Sequence, residues 1–321
     1  MPPVDSALPL LETDQTRGSR IAIGNDRLKV EISPVGAELT SVRDRLDREW
    51  LWQGDAGSWL RQAPVLFPVI GRSRGGVVRH GGAAYPMPSH GIAPNASFEI
   101  AAATKEACNL VLKDDAGTRG SYPFEFQLKV AFEVSGDTLI QSAEITNTGD
   151  VELPYSFGFH PGFQWPLPTT GAIGRERHCI HFRSEEPHLV RRITEDGLGP
   201  PTQPSPIVDR ILNLRDSLFA EGAVVFDKFE SRALWFGVPG HDGVLVEIDN
   251  LPHFGIWTRP PAAFLCLEPW QGHADPTGFE GDLIDKPGSL RLTPGQASSH
   301  SIRISFSEPA PPWAMAEASP I

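Results

Sequence analysis

The stretch Phe124-Glu-Phe-Gln-Leu-Lys-Val-Ala-Phe-Glu-Val134 decides the fold class. Its apolar side chains, Phe124, Phe126, Leu128, Val130, Phe132 and Val134, occupy every second position. Successive side chains of an extended chain point to opposite faces, so this pattern describes a strand with one apolar face. Ser135-Gly136-Asp137 reads as a tight turn, Leu139 to Ile145 as the returning strand, and Asn147-Thr148-Gly149-Asp150 as the next turn. The same period recurs at Leu28, Val30 and Ile32 and at Val244, Val246 and Ile248. Strands are also expected over His253 to Thr258 and Ala263 to Leu267, with Ile302, Ile304 and Phe306 closing the sheet. Only Leu212 to Ala220 reads as a short helical turn. With 31 glycines and 31 prolines spread along 321 residues, long helices are disfavoured. The chain is therefore expected to be all-β, a sandwich or a barrel.

Outward from these strands, residues 1–18 and 308–321 lack any sustained period and are read as flexible tails. Residues 19–307 are read as one domain, with Pro200 to Pro206 as a surface loop. Hydrophobic content of 40% and charged content of 21% suit a globular protein with a sizeable core. The net charge of −12 argues against nucleic acid, which needs a concentrated basic surface. Cys108, Cys179 and Cys266 are odd in number and far apart, so no disulfide framework is indicated and a reducing compartment fits. There is neither a secretory leader nor an apolar run of membrane-spanning length, so a cytoplasmic protein with no membrane partner is expected.

Two titratable residues stand out. His160 is the only group that titrates near or below neutrality in Tyr155-Ser-Phe-Gly-Phe-His-Pro-Gly-Phe163, and Glu268 the only one in Leu265-Cys-Leu-Glu-Pro-Trp270. A histidine titrates near neutrality and both gives and takes a proton at working pH. A glutamate ending an apolar run is rarely left unpaired, because burying a bare charge is costly. Each has a plain structural reading, as a core histidine and as a buried salt-bridge partner. Trp270 is either core or an aromatic wall for the apolar side of a sugar ring. Arg72 and Arg74, in a glycine-rich segment, are exposed loop arginines or forks for vicinal hydroxyls. His90 is a loop histidine of little meaning alone. His178-Cys-Ile-His181 lacks a second ligand pair, so no metal is expected. No Gly-Lys-Ser/Thr phosphate loop and no Gly-x-Ser-x-Gly elbow occurs.

Five strings in order give these residues a common meaning: Leu66-Phe-Pro-Val-Ile-Gly-Arg72, His90-Gly-Ile-Ala93, Tyr155-Ser-Phe-Gly-Phe-His-Pro-Gly162, Leu251-Pro-His-Phe-Gly-Ile-Trp257 and Cys266-Leu-Glu-Pro-Trp-Gln-Gly-His-Ala-Asp275. The series resembles the aldose 1-epimerase (galactose mutarotase-like) family, and within it the shorter proteins of the lactose-operon accessory type. The resemblance implies a large antiparallel β-sandwich and a cofactor-free mutarotase acting on an aldohexose or related sugar. It also implies that His160 is the general acid, Glu268 the general base, and that His90 and Arg72 bind and polarise the sugar. Attraction between acid and base is expected to lower the glutamate pKa and raise that of the histidine. The Gly71-Arg-Ser-Arg74 turn is shorter than in the better-known galactose enzymes, leaving Arg72 and Arg74 both as candidates. Pro94 replaces the usual basic or aromatic residue. By order alone, Asp227 and Asp249 are the candidates for a sugar-gripping aspartate. A hexose-phosphate mutarotase using Arg72, Arg74 and Arg79, or a non-catalytic carbohydrate-binding protein, are the alternatives. A glycosidase would need a second carboxylate. The protein is expected to be a monomer or homodimer.

Overall fold

The structure, a computed structural model, describes residues 20–314. Two antiparallel sheets dominate it. The larger has nine strands, in the order Ile211–Asn213, Cys179–Phe182, Ala233–Gly237, Gly243–Asp249, Ala297–Glu308, Thr138–Asn147, Phe126–Ser135, Ala107–Lys113 and Glu99–Ala103. The smaller runs Val224–Phe226, His253–Trp257, Phe264–Gln271, Phe157–Phe159 and Val65–Leu66, with Gly162–Gln164 also pairing with Phe264–Gln271. The alternation of Phe126–Ser135 is kept in its burial, with Phe126, Leu128, Val130, Phe132 and Val134 all inside. They share one apolar cluster with Phe157, Phe159, Phe254, Ile256, Leu265 and Leu267 of the smaller sheet. The core thus lies between the two sheets, and the all-β sandwich is the observed architecture.

Three expectations are corrected. The strand Ala297–Glu308 lies in the middle of the large sheet, between Gly243–Asp249 and Thr138–Asn147, and does not close its edge. The helical turn read over Leu212 to Ala220 is present but shorter, a 3-10 turn at Asp216–Phe219, and its first two residues belong to the strand Ile211–Asn213; the one short α-helix among the described residues is Ala116–Arg119, capped by Asp115. The C-terminal segment expected to be a flexible tail is ordered over 308–314. Glu308 completes its strand, Pro312–Ala314 form a 3-10 turn, and Ala314 is buried. The N-terminal tail and residues 315–321 lie outside the described residues.

A third sheet, Ile21–Gly24, Leu28–Ser33 and Glu38–Asp44, bears on the site through its last strand. The buried Glu38 accepts the backbone N–H groups of Gln62 (2.8 Å) and Ala63 (3.2 Å) and the Arg61 guanidinium (2.9 Å). The same loop is stitched to Gly162, whose N–H donates to Gln62 O at 2.8 Å and whose carbonyl accepts from Trp52 at 2.9 Å.

Candidate active site

Strand geometry brings the two titratable residues together. Gly158 pairs with Trp270, and Gly162 pairs with Cys266. The register is the same on both sides of the short break at His160–Pro161, so His160 stands opposite Glu268. Period two then decides the face. Leu265 and Leu267 enter the inter-sheet core, as do Phe254, Ile256, Phe157 and Phe159. Cys266, Glu268, Trp270, His253, Gly255, Trp257, Gly158 and His160 take the other face. Glu268 is not at a strand end as its sequence context implied, since the strand continues through Pro269 to Gln271. Leu267 donates its N–H to Pro161. Two residues further on, Pro269 has no N–H to give the same neighbour, and it is there that the neighbouring strand is interrupted.

Nε2 of His160 lies 3.0 Å from Oε2 of Glu268. Both side chains are almost fully buried, at 5% and 2% exposure. Burial reverses the expected electrostatics. Desolvation holds the His160 imidazole well below its ordinary value, and a proton added to the neighbouring His90 would push it further the same way. Desolvation likewise lifts the Glu268 carboxyl well above the usual carboxylate range. Taking a charge out of water is costly, so burial pulls the imidazole and the carboxyl each toward its neutral form. Cys266 places its sulphur within 4.8 Å of both groups, but burial, and then Glu268, push its thiol well up.

Trp59 and Trp257 frame the pair. Trp59 stacks on His160 (centroids 5.0 Å apart, 28° between planes), and Trp257 meets the same ring edge-on at 5.9 Å. Both tryptophans are partly exposed. The loop position of Trp59 had no period to betray it, and Trp257 lay unremarked in its string. Trp270, the aromatic wall expected from sequence, is instead a floor. It is 5% exposed and lies flat across two glycines: a Cβ on Gly158 would stand 2.4 Å from its Cδ1, and one on Gly255 2.4 Å from its Cη2. Leu66, Ile70, Leu198, Val225 and Ala274 share its cluster.

His90 lies beside the pair, its ring 5.4 Å from that of His160. Its backbone is left-handed (φ 64°), an unusual conformation for a non-glycine residue. Gly91 follows at φ 84°, where a Cβ would come within 2.1 Å of the Phe67 carbonyl oxygen; only glycine fits there. His90 N–H donates to Gly71 O (2.7 Å), and Gly71 N–H donates to Nδ1 of His90 (3.2 Å). An Nδ1 that accepts carries no proton, so Nε2 carries it and His90 is a neutral donor.

Arg72 is exposed in the same turn as Gly71. Arg74 turns its guanidinium toward Glu280, at 3.5 Å, and its N–H to Asp275. Of the two aspartates suggested by order, Asp249 is in the nine-stranded sheet, paired with Ser301. Asp227 ends beside the smaller sheet and binds Arg191 at 3.0 Å. No helix among the described residues is long and apolar enough to cross a membrane.

The β-sandwich and its family match place the chain in the mutarotase-like class of carbohydrate-active isomerases. The chain matches the aldose 1-epimerase family over residues 19–305 and belongs to it. Protein LacX (plasmid) of Lactococcus lactis subsp. lactis is 27% identical over 297 residues, covering 89% of this chain and 99% of that protein. The galactose mutarotase related enzyme from Lactobacillus acidophilus is 30% identical with a TM-score of 0.82, covering 90% of this chain and 98% of that one. A galactose mutarotase-like protein from Lactobacillus casei is 26% identical with a TM-score of 0.78, covering 90% of this chain and all of the other (100%).

Proposed function

We propose that the protein is an aldose 1-epimerase interconverting the α and β anomers of a free aldohexose or related sugar. The observation that carries this reading is the 3.0 Å contact between Nε2 of His160 and Oε2 of Glu268. One proton shared across it supplies both an acid and a base. Transfer of that proton from Glu268 to His160 gives the carboxylate–imidazolium form, which a sugar stabilises by donating its hydroxyl hydrogen bonds to the carboxylate. Glu268 then takes the proton of the anomeric hydroxyl as His160 gives one to the ring oxygen. The C1–O5 bond breaks and C1–O1 becomes a carbonyl. After rotation about C1–C2 the steps reverse, O5 attacks the other face, and the pair ends with the proton it began with.

His90, through its Nε2–H, and Arg72 polarise and hold the sugar oxygens. Trp59 and Trp257 replace Trp270 as the aromatic faces for stacking, since the ring of Trp270 is covered. The tie of Arg74 to Glu280 counts against a phosphate-binding arginine cluster. The likeness to LacX over most of the chain supports membership of the shorter mutarotase-like branch, and three free, buried cysteines fit the reducing environment of the cytoplasm.

The test is the optical rotation of freshly dissolved α-glucose and α-galactose, followed with and without the protein. Acceleration above the spontaneous rate is expected. Acceleration of sugar phosphates alone would make it a hexose-phosphate mutarotase. Sugar binding with no acceleration of either class would make it a carbohydrate-binding protein.

A further inference from the structure

The turn that sets the His90 tautomer is itself held from the side away from the His160–Glu268 pair. Both its ends touch one segment. A Cβ on Gly71 would stand 2.8 Å from Cβ of Ala274, so the turn rests against that residue. Next along, Oδ2 of Asp275 accepts the N–H of Arg74 at 2.9 Å. Oδ1 of the same carboxylate lies 2.9 Å from Nζ of Lys286, and the Asp275 carbonyl accepts from Leu198 N–H at 2.8 Å. Lys286 is 3% exposed. A buried ammonium is expensive even when paired, and an apolar side chain would fill the same space at lower cost. Stability alone is therefore a weak reason for this pair.

We propose that the buried Asp275–Lys286 pair is a positioning device for His90. It fixes the Gly71–Arg74 turn so that Gly71 N–H occupies Nδ1 and the imidazole presents Nε2–H to the sugar. This rests on the mutarotase reading only for its consequence in turnover; the control of the tautomer stands on geometry alone. The ring oxygen of a sugar has lone pairs and no hydrogen, so it needs a donor. If the turn slackens, the other tautomer of His90 becomes accessible, and it offers the sugar an acceptor in place of a donor. Asp275 and Lys286 touch no reacting atom and act through the turn.

The link is cut most cleanly at the N–H of Arg74. Arg74 opens a 3-10 turn, where the fixed φ of proline is tolerated, and Ser73 before it is extended (ψ 143°), as a residue before proline prefers. Arg74→Pro therefore removes the donor while leaving the Asp275–Lys286 pair in place, and Arg74→Ala removes the same side chain but keeps the N–H. The readouts are the imidazole nitrogen resonances of His90 in the ¹⁵N-labelled full chain, assigned by their loss in His90→Gln, and the separated kcat and KM for mutarotation. The expected result is a wild-type Nε2–H pattern in the alanine variant and a mixed pattern in the proline variant, with kcat about tenfold lower for proline than for alanine. A second variant, Asp275→Leu/Lys286→Met, removes both charges together and should reproduce the proline phenotype in a cooperatively folded protein. Matching His90 resonances and kcat in the proline and alanine variants would overturn the proposal. If the wild type accelerates no sugar, the resonances alone decide it, and the mutarotase reading falls separately.

Discussion

The proposed reaction turns on one pair of side chains, so the sharpest expectations concern His160 and Glu268. Glu268→Gln and His160→Ala are each expected to lower the catalysed rate by about 10²–10⁴-fold, as loss of a positioned acid or base does; polarimetry against the spontaneous rate reads it. The same glutamate makes a stability prediction with a definite sign. Its folded pKa is raised, so between its unfolded and folded values the native state binds more protons than the unfolded chain, and stability falls as pH rises through that window. Glu268→Gln lacks this dependence. Its melting temperature should exceed that of the wild type increasingly as pH climbs above the ordinary glutamate value, and thermal melts at several pH values check it. Such a gain in stability with loss of activity is the trade expected where a charge is buried for function. At this scale the sequence singled out the two groups that the structure brings into contact, because each stood among apolar neighbours. It did not show their protonation. The expected charge stabilisation assumed that attraction decides, whereas nearly complete burial makes desolvation the larger effect.

Among the elements, the Phe264–Gln271 strand does the organising. Its inner alternate residues build the core and its outer ones build the floor and one wall of the site. The floor depends on two small neighbours. Gly158→Ala would drive a methyl into the Trp270 ring and is expected to cost about 1–3 kcal/mol by overpacking. It should also depress turnover by tilting the strand that leads to His160; urea denaturation and polarimetry on one preparation measure both. A residue such as Trp270 reads as a sugar platform in sequence because an aromatic side chain serves either use. Only the two glycines facing it, from strands far apart in the chain, show that its ring lies flat and is covered. Strand ends were misjudged at Pro269 for a related reason. Proline argues against a central strand unless its missing donor falls at a gap in the neighbour, and that gap is visible only in the assembled sheet.

For the molecule as a whole, the sandwich core is one continuous apolar cluster reaching from Ile23 to Phe306, and the small N-terminal sheet is tied to the site through Glu38. Glu38→Ala would strand the Arg61 charge and leave two backbone N–H groups without their acceptor. It is expected to cost about 2–4 kcal/mol. Because the freed loop carries Trp59, sugar affinity should weaken along with stability; denaturant midpoints and the KM for mutarotation report the two effects. A change confined to the small sheet would lower the midpoint alone.

The order of apolar and polar residues determined the all-β class by itself, since a period of two is a local property that any extended chain must express. The five ordered strings likewise marked His90, His160 and Glu268 as a set. What only the tertiary structure decided were the relations between distant strands: the register that seats an imidazole opposite a carboxyl, the glycines that let an indole lie flat, and the turn that assigns the proton of His90. Those depend on contacts between separate segments, 15 positions apart for Gly255 and Trp270 and 108 for His160 and Glu268, and no local pattern encodes which partner a strand will find.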